Sequence, residues 1–311
     1  MDQCDIAIIG GSLSGAAVAH HLAASGFLGR VVLIERDPAF TYAATSLSAA
    51  GIRQQFSCAE NIALSRRTLD FLRATGAGQF ALREQGYLIL STPGGRDIHA
   101  ANHKVQIAAG ADIEWLEPGA LATRMPWLNV EGLGAGTLGR TGEGWFDPHA
   151  LRAYLRGMAR EAGVQLRQGA VAGIDMSGDR AMIGFADGTW LEARQVVITA
   201  GPQSGAVAAM VGVALPVEPR KRTVFVFSCR QAPAGLPLVA DPSGVWFRPE
   251  GRMFICGKSP APDQEPAIGD LDDIDHAFFV RARLAASRRA RAHRVRLRQQ
   301  PLRRSQPGVA A

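Results

Sequence analysis

An α/β fold that opens on a parallel strand–turn–helix–strand unit is predicted by three features near the start of the chain. Asp5-Ile6-Ala7-Ile8-Ile9 is a short apolar run of the kind buried in a parallel strand. The small-residue turn Gly10-Gly11-Ser12-Leu13-Ser14-Gly15 follows, leading into an alanine-rich helical stretch over residues 15–25 that Gly26 stops. Arg30-Val31-Val32-Leu33-Ile34-Glu35 reads as a second buried strand, at a spacing that suits a right-handed crossover.

The remaining elements follow in order. Residues 41–55 are small, polar and irregular, and lead to a helix over 59–75. Tyr87-Leu88-Ile89-Leu90 is strand-like, and a helix is expected over 99–109. Asp147 is placed to cap a helix with Pro148 at its first position, running to 162 with Gly163 as its stop. Strands are expected over 164–167, 181–185 and 195–199, with Asp187-Gly188 as a hairpin turn. Three more are expected over 223–228, 244–247 and 252–256. No repeat of 20–50 residues is visible.

Gly10-x-Ser12-x-x-Gly15 has the form of a dinucleotide fingerprint. Gly10 permits the tight turn, a small residue at 12 lets backbone approach a pyrophosphate, and Gly15 lets helix and strand pack closely. Serine at 12 departs from the usual glycine, but it is small and its hydroxyl can donate to a phosphate. The helix start offers unpaired N–H groups to the anion. Glu35 closes the second strand 20 residues after Gly15, where a carboxylate accepts bonds from a ribose diol and repels a 2′-phosphate. Strand, turn, helix and acid together carry the nucleotide reading; a glycine turn beside a surface glutamate is the plain alternative.

Composition sets the frame. In 311 residues, 47% are apolar and 20% charged, ordinary for a soluble globular chain. The net charge of +6 is misleading. Residues 281–311 hold ten arginines and no lysine or acid, and removing those ten charges from +6 leaves −4 for residues 1–280. A nucleic-acid partner would have to use that tail alone and is disfavoured. Cys4, Cys58, Cys229 and Cys256 are scattered, with no CxxC pair, so neither a disulfide frame nor a metal site is expected. The start lacks a basic leader, and no apolar run approaches the ~20 residues that span a bilayer. A cytoplasmic protein without a membrane span is expected.

Several further segments together resemble the D-amino-acid oxidase and sarcosine oxidase (DAO) group of FAD-dependent oxidoreductases. They are residues 5–15, 31–36 and 45–57, Asp147-Pro148 with its helix, and Gln195-Val196-Val197-Ile198-Thr199-Ala200-Gly201-Pro202. Gly244-Val245-Trp246-Phe247-Arg248-Pro249 and Phe254-Ile255-Cys256-Gly257-Lys258 resemble strands of the group's substrate domain. The resemblance implies a Rossmann-type FAD-binding domain on a parallel sheet, over 1–86 and 143–214. It implies an α+β substrate domain on a mostly antiparallel sheet, over 87–142 and 215–279.

The same resemblance implies site residues. Gly10, Gly11, Ser12, Leu13, Ser14, Gly15, Glu35 and Arg36 would hold the ADP half of FAD. Ser46, Ser48, Ala49, Gly51 and Ile52 would line the pyrophosphate and flavin ring. Val171 would flank the adenine, and Ala200 and Gly201 would sit in the turn beside the ADP moiety; core filling and an ordinary strand-ending turn are the alternatives. No histidine occurs at residues 47–49, where some members attach flavin covalently, so FAD is expected to be non-covalent. The implied reaction takes a hydride from an amine or amino acid, with oxygen or another electron acceptor reoxidising the flavin. Arg53 is the candidate for a substrate carboxylate, and Lys258 for favouring oxygen reduction; a local structural partner and a surface lysine are the alternatives. His20 and His21 fall on the first helix, His99 and His103 are expected to be solvated, and no catalytic base is assigned.

By these residues the resemblance ends near Phe279, and residues 280–311 form an atypical arginine-rich tail. An altered frame or truncation is the reading, with a disordered or anion-binding tail as the alternative. An FAD enzyme acting on C–N bonds is therefore set against a 2-hydroxy-acid dehydrogenase and a non-catalytic remnant of the fold.

Overall fold

The computed structural model describes residues 2–229 and 233–266, with Phe278, Val280 and Arg289 beyond them. The expected tail over 280–311 lies outside the described residues apart from Val280 and Arg289.

In chain order the elements are β1 (Asp2–Ile9), α1 (Leu13–Ala24), β2 (Val31–Glu35), α2 (Ala44–Leu47), β3 (Gly51–Ile52) and α3 (Ala59–Gly76). Next come β4 (Tyr87–Ser91), α4 (Arg96–Ala108), β5 (Ile113–Leu116), α5 (Pro118–Arg124), β6 (Ala135–Gly139) and β7 (Gly144–Trp145). Then follow α6 (Pro148–Glu161), β8 (Gln165–Gln168), β9 (Val171–Asp175), β10 (Ala181–Phe185), β11 (Trp190–Ile198) and α7 (Ser204–Ala209). β12 (Val224–Phe227), β13 (Leu238–Ala240), β14 (Val245–Glu250) and β15 (Met253–Lys258) complete the set. Among the described residues no helix is long and apolar enough to cross a membrane.

The chain divides into two compact units, Met1–Ala50 with Asp147–Arg220 and Gly51–Phe146 with Lys221–Ala311. The first carries a six-stranded sheet in the order β8-β2-β1-β11-β10-β9. The pairs β8·β2, β2·β1 and β1·β11 are parallel, and β10 and β9 add an antiparallel edge. β1 and β2 are buried on both faces, which is why Ile6, Ile8, Val32 and Ile34 run as unbroken apolar stretches. α6 begins as its sequence dictates: Asp147 Oδ1 accepts from the backbone N–H of His149 at 2.8 Å and of Ala150 at 3.3 Å, with Pro148 at the first helical position. Asp147→Ala is expected to cost about 1 kcal/mol, read as a lower urea midpoint.

The second unit carries a seven-stranded sheet in the order β12-β15-β14-β13-β4-β6-β5, antiparallel except for the β13·β4 pair. Its pleat sorts the side chains. Leu88 and Leu90 of β4 join Leu121, Leu128, Phe225, Val239, Phe247 and Phe254 in one apolar cluster. The alternate residues of β4, Ile89 and Ser91, stand opposite Thr137 and Ala135 of β6 and share the other face. Residues 51–86, expected with the nucleotide-binding unit, group here with the second. β3 pairs with β7, and Ile62 of α3 packs on Ala111 and Ile113. The stretch 41–55, expected to be irregular, holds α2 and β3, which at four and two residues are too short to show a period.

Candidate active site

In the first unit, β1 delivers the chain into a turn that only glycine fits at its first position. Gly10 has φ +106°, and a Cβ there would lie 2.9 Å from the Cα of Ala200 and closer still to the carbonyl of Thr199. A Cβ on Gly15 would run into the Gly10 carbonyl and stand 2.9 Å from Thr199 Oγ1. Thr199 ties the turn to the end of β11, its N–H bonding the carbonyl of Ile9 at 2.8 Å and its hydroxyl that of Gly10 at 2.9 Å.

Ser12 is the N-cap of α1, yet its hydroxyl makes no capping bond and is buried without a hydrogen-bond partner. An orphaned hydroxyl beside the free N–H groups of a helix start calls for an acceptor, and a phosphate oxygen meets that need. Leu13, Ser14 and Gly15 form the first turn of that helix. Glu35 Oε2 accepts from the backbone N–H of Gly11 at 2.9 Å and Oε1 from that of Asp37 at 2.9 Å. Each carboxylate oxygen keeps a lone pair for a ribose hydroxyl. These residues fit the adenosine diphosphate half of a dinucleotide. Arg36 is exposed one residue further on.

Two residues here were not legible in the sequence. Arg152 and Arg156 lie one turn apart on α6, both partly buried, with guanidinium carbons 4.1 Å and 4.7 Å from the centre of the Phe40 ring. Phe40 holds that place with φ +57°, a left-handed conformation rare for a bulky side chain. Arg156 donates to the Gly11 carbonyl at 2.9 Å, and Arg152 to Ser46 Oγ at 2.8 Å. Burial pulls both guanidinium pKa values down, and for Arg152 the like charge of Arg156 adds to it. Their only signal in the sequence was an i, i+4 pair on an amphipathic helix, which reads equally as a solvated face.

The other expected cofactor residues fall as follows. Ser48 Oγ accepts from the Ala50 N–H at 2.9 Å, folding the backbone around Ala49. Val171 begins β9, half-buried against the apolar cluster that holds Phe185. Ala200 and Gly201 follow β11, with Ala200 brought against the Gly10 turn and Gly201 at φ +58°.

In the second unit, Gly51, Ile52, Arg53, Phe56, Ser65, Thr68, Tyr87 and Phe146 line an open pocket of about 440 Å³. Arg53 is exposed in it, its guanidinium 4.7 Å from the centre of the Phe56 ring. Its carbonyl accepts from Ser65 Oγ at 2.5 Å. Tyr87 is buried beside Gly51, and burial pushes its hydroxyl up to about 12, so it stays a neutral donor. Lys258, the last residue of β15, is not among the lining residues; it stands opposite Val245 and near Gly244.

Below the pocket loop sits Glu143, fully buried. Its Oε1 accepts from the backbone N–H groups of Gln54 at 2.6 Å and Gln55 at 3.0 Å, and its Oε2 from Gln55 Nε2 at 2.8 Å. The Tyr87 N–H also bonds to it. Burial raises its pKa, while those donors oppose the rise. All four are donors, which suits a carboxylate and leaves a carboxylic proton no acceptor. His99, expected to be solvated, is instead buried: its helix lays it on the polar face of the sheet against Ser91, Thr137 and the ring of Trp115. His103 bonds through Nε2 to the Ile113 carbonyl. A single histidine at helical spacing gave no sign of this.

A family model described as FAD dependent oxidoreductase (DAO) matches residues 5–300. The match passes Phe279, where the residues alone had suggested that the resemblance ends. Arg289, inside that stretch, pairs with Asp241 and donates to the Asn129 carbonyl at 2.6 Å, so its charge belongs to the fold. FAD-dependent oxidoreductase domain-containing protein 1 of Xenopus laevis is 34% identical over 326 residues, covering 89% of this chain and 64% of that protein. The chain thus spans just under two thirds of this relative's length. L-proline dehydrogenase of P. horikoshii superposes with a TM-score of 0.80 at 21% identity, over 94% of this chain and 78% of that one. Glycine oxidase of Geobacillus kaustophilus gives 0.76 at 22%, over 92% and 78%. At those identities the two structures share the fold.

Proposed function

Because this chain belongs to the DAO family of FAD-dependent oxidoreductases, we propose that it oxidises a small amine or amino acid at the carbon next to nitrogen. One hydride leaves that carbon and the nitrogen releases a proton to solvent, so that the amine becomes an imine that water hydrolyses, and oxygen or another acceptor later takes the two electrons. FAD, when bound, supplies the hydride-accepting nitrogen. The chain's own residues bind and orient. The Gly10–Gly15 turn, Ser12 and the start of α1 would hold the pyrophosphate, and Glu35 the ribose. Arg152 and Arg156 add positive charge at Ser46 and Gly11, and would favour a diphosphate there. With no histidine at 47–49, the cofactor is held non-covalently.

The observation that carries the substrate class is Arg53. Its backbone is pinned by Ser65, its guanidinium rests on Phe56, and its charge is exposed in the pocket. That arrangement suits a carboxylate, which the guanidinium fork meets with two parallel bonds. The two named structural neighbours act on proline and glycine, in keeping with this class.

The test is anaerobic bleaching of the FAD-loaded protein by amino acids, N-methyl amino acids, simple amines and 2-hydroxy acids. Amino acids should bleach the flavin, and Arg53→Gln should raise their KM roughly 10- to 100-fold, the worth of a charged hydrogen bond, while sparing FAD affinity. Bleaching by 2-hydroxy acids alone, or an unchanged KM in the variant, would sink the assignment.

A further inference from the structure

Five side chains of the second unit, Glu143, Gln55, Thr137, His99 and Ser91, form one continuous hydrogen-bonded line. Gln55 Nε2 donates to Glu143 Oε2 at 2.8 Å and to the Tyr87 carbonyl at 2.9 Å. Both of its amide protons are used, so its Oε1 must accept. Thr137 Oγ1 donates to that oxygen at 2.5 Å. A hydroxyl has one proton, so Thr137 must in turn accept, and its donor is His99 Nε2 at 2.7 Å. His99 is thereby fixed with a proton on Nε2. Its Nδ1 faces Ser91 Oγ at 2.9 Å. Burial, and then His103, lower the pKa of His99 and favour the neutral ring, whose Nδ1 accepts from Ser91.

The line runs from α4 through β6 to the pocket loop. Gln54 and Gln55 are 4% and 6% exposed, and Ile52 is 5%. Arg53 is the exposed residue between them. Gln54 is held separately, its Nε2 donating to the Gly142 carbonyl at 3.1 Å. Turning Arg53 therefore requires moving buried neighbours whose side-chain and backbone donors are already engaged. Glu143 alone would hold the loop's two backbone N–H groups, those of Gln54 and Gln55; the line to His99 fixes the amide that closes the clamp from the other side.

We propose that His99 and Thr137 are positioning residues for the substrate pocket, acting through Gln55 to fix the loop that presents Arg53. The proposal rests on the reading that this pocket receives a carboxylate, but its first readout does not depend on it. Hydrogen–deuterium exchange of the full FAD-loaded chain reports the backbone N–H groups of Gln54 and Gln55 directly. Thr137→Val, nearly isosteric, should speed their exchange on the order of tenfold, the equivalent of one lost hydrogen bond. Thr137→Ser should restore it. His99→Leu should match Thr137→Val, and the double variant should be no faster than either, since both break the same line. Acetate, the smallest carboxylate probe, should bind the variants more weakly, read as a smaller shift of the flavin band.

Unchanged exchange at Gln54 and Gln55 in Thr137→Val would overturn the proposal, as would additive effects in the double variant. Should His99→Leu fail to fold, His99→Gln, which keeps a donor toward Thr137, must exchange at the parent rate or the proposal falls. Faster exchange with acetate binding untouched, in Thr137→Val and Arg53→Gln alike, would uphold the positioning line and reject the pocket as the carboxylate site.

Discussion

Replacing Gly15 with valine is expected to weaken FAD binding at least roughly a hundredfold, if helix α1 must shift at a cost of about 3 kcal/mol. The obstruction is backbone: any Cβ at this position meets the Gly10 carbonyl, and Thr199 Oγ1 lies 2.9 Å away on the other side. Neither can swing aside, because the Thr199 hydroxyl is bonded to that same carbonyl and its N–H to Ile9. Relief would come from lifting α1, which would move its free N–H groups and Ser12 away from where the phosphates are proposed to bind. Titration with FAD, followed by flavin absorbance, measures the loss. Gly157 on α6 has open space around it, so Gly157→Ala should bind FAD as the parent does. Parent-like affinity in Gly15→Val would mean that the turn does not hold the cofactor.

Glu143→Leu should be the most damaging single change in the second unit. It removes the acceptor of four donors at once: the N–H groups of Gln54, Gln55 and Tyr87, and the Gln55 amide. Each buried donor left unpaired costs about 1–3 kcal/mol, and a total near 4 kcal/mol is expected after relaxation. Glu143→Gln keeps one acceptor but turns an N–H₂ toward existing donors, so an intermediate loss of about 2 kcal/mol follows. Urea denaturation followed by tryptophan fluorescence reads both, Trp145 lying on β7 beside Glu143. A loss under about 0.5 kcal/mol in Glu143→Leu, the level of an ordinary surface change, would show that the loop is held by something else.

Legibility followed period and punctuation. β1, α1 and β2 were readable because apolar runs, a glycine turn and a stop residue agree on one unit. Asp147-Pro148 announced α6 because cap and first-turn chemistry are local. β13 was missed: three residues long, it is fixed by pairing with β4 and β14, partners a linear reading does not see. The fingerprint, Glu35 and the loop around Arg53 carried local or familial signals. Glu143 and His99 carried none, and Arg152 and Arg156 only a helical spacing that a solvated face would share. Each matters through a neighbour tens of residues away, such as Arg156 with Gly11 or Glu143 with Gln54. The boundary at 86 shows the same limit, because residues 51–86 join their unit through contacts to β7 and to Ile113.

The parallel pair of β4 and β13 also sets a timetable for synthesis. Tyr87 pairs with Leu238, some 150 positions later, so β4 leaves the ribosome with one edge that nothing yet made can cover. β1 waits longer still for β11, Ile9 standing beside Ile198. The first sheet closes with β11, shortly before the final third of the chain, and the second only within that third, with loop-closure entropy to overcome each time. A nascent chain of this architecture therefore carries open strand edges through most of its translation, the condition in which chaperones and wrong partners compete for the same backbone.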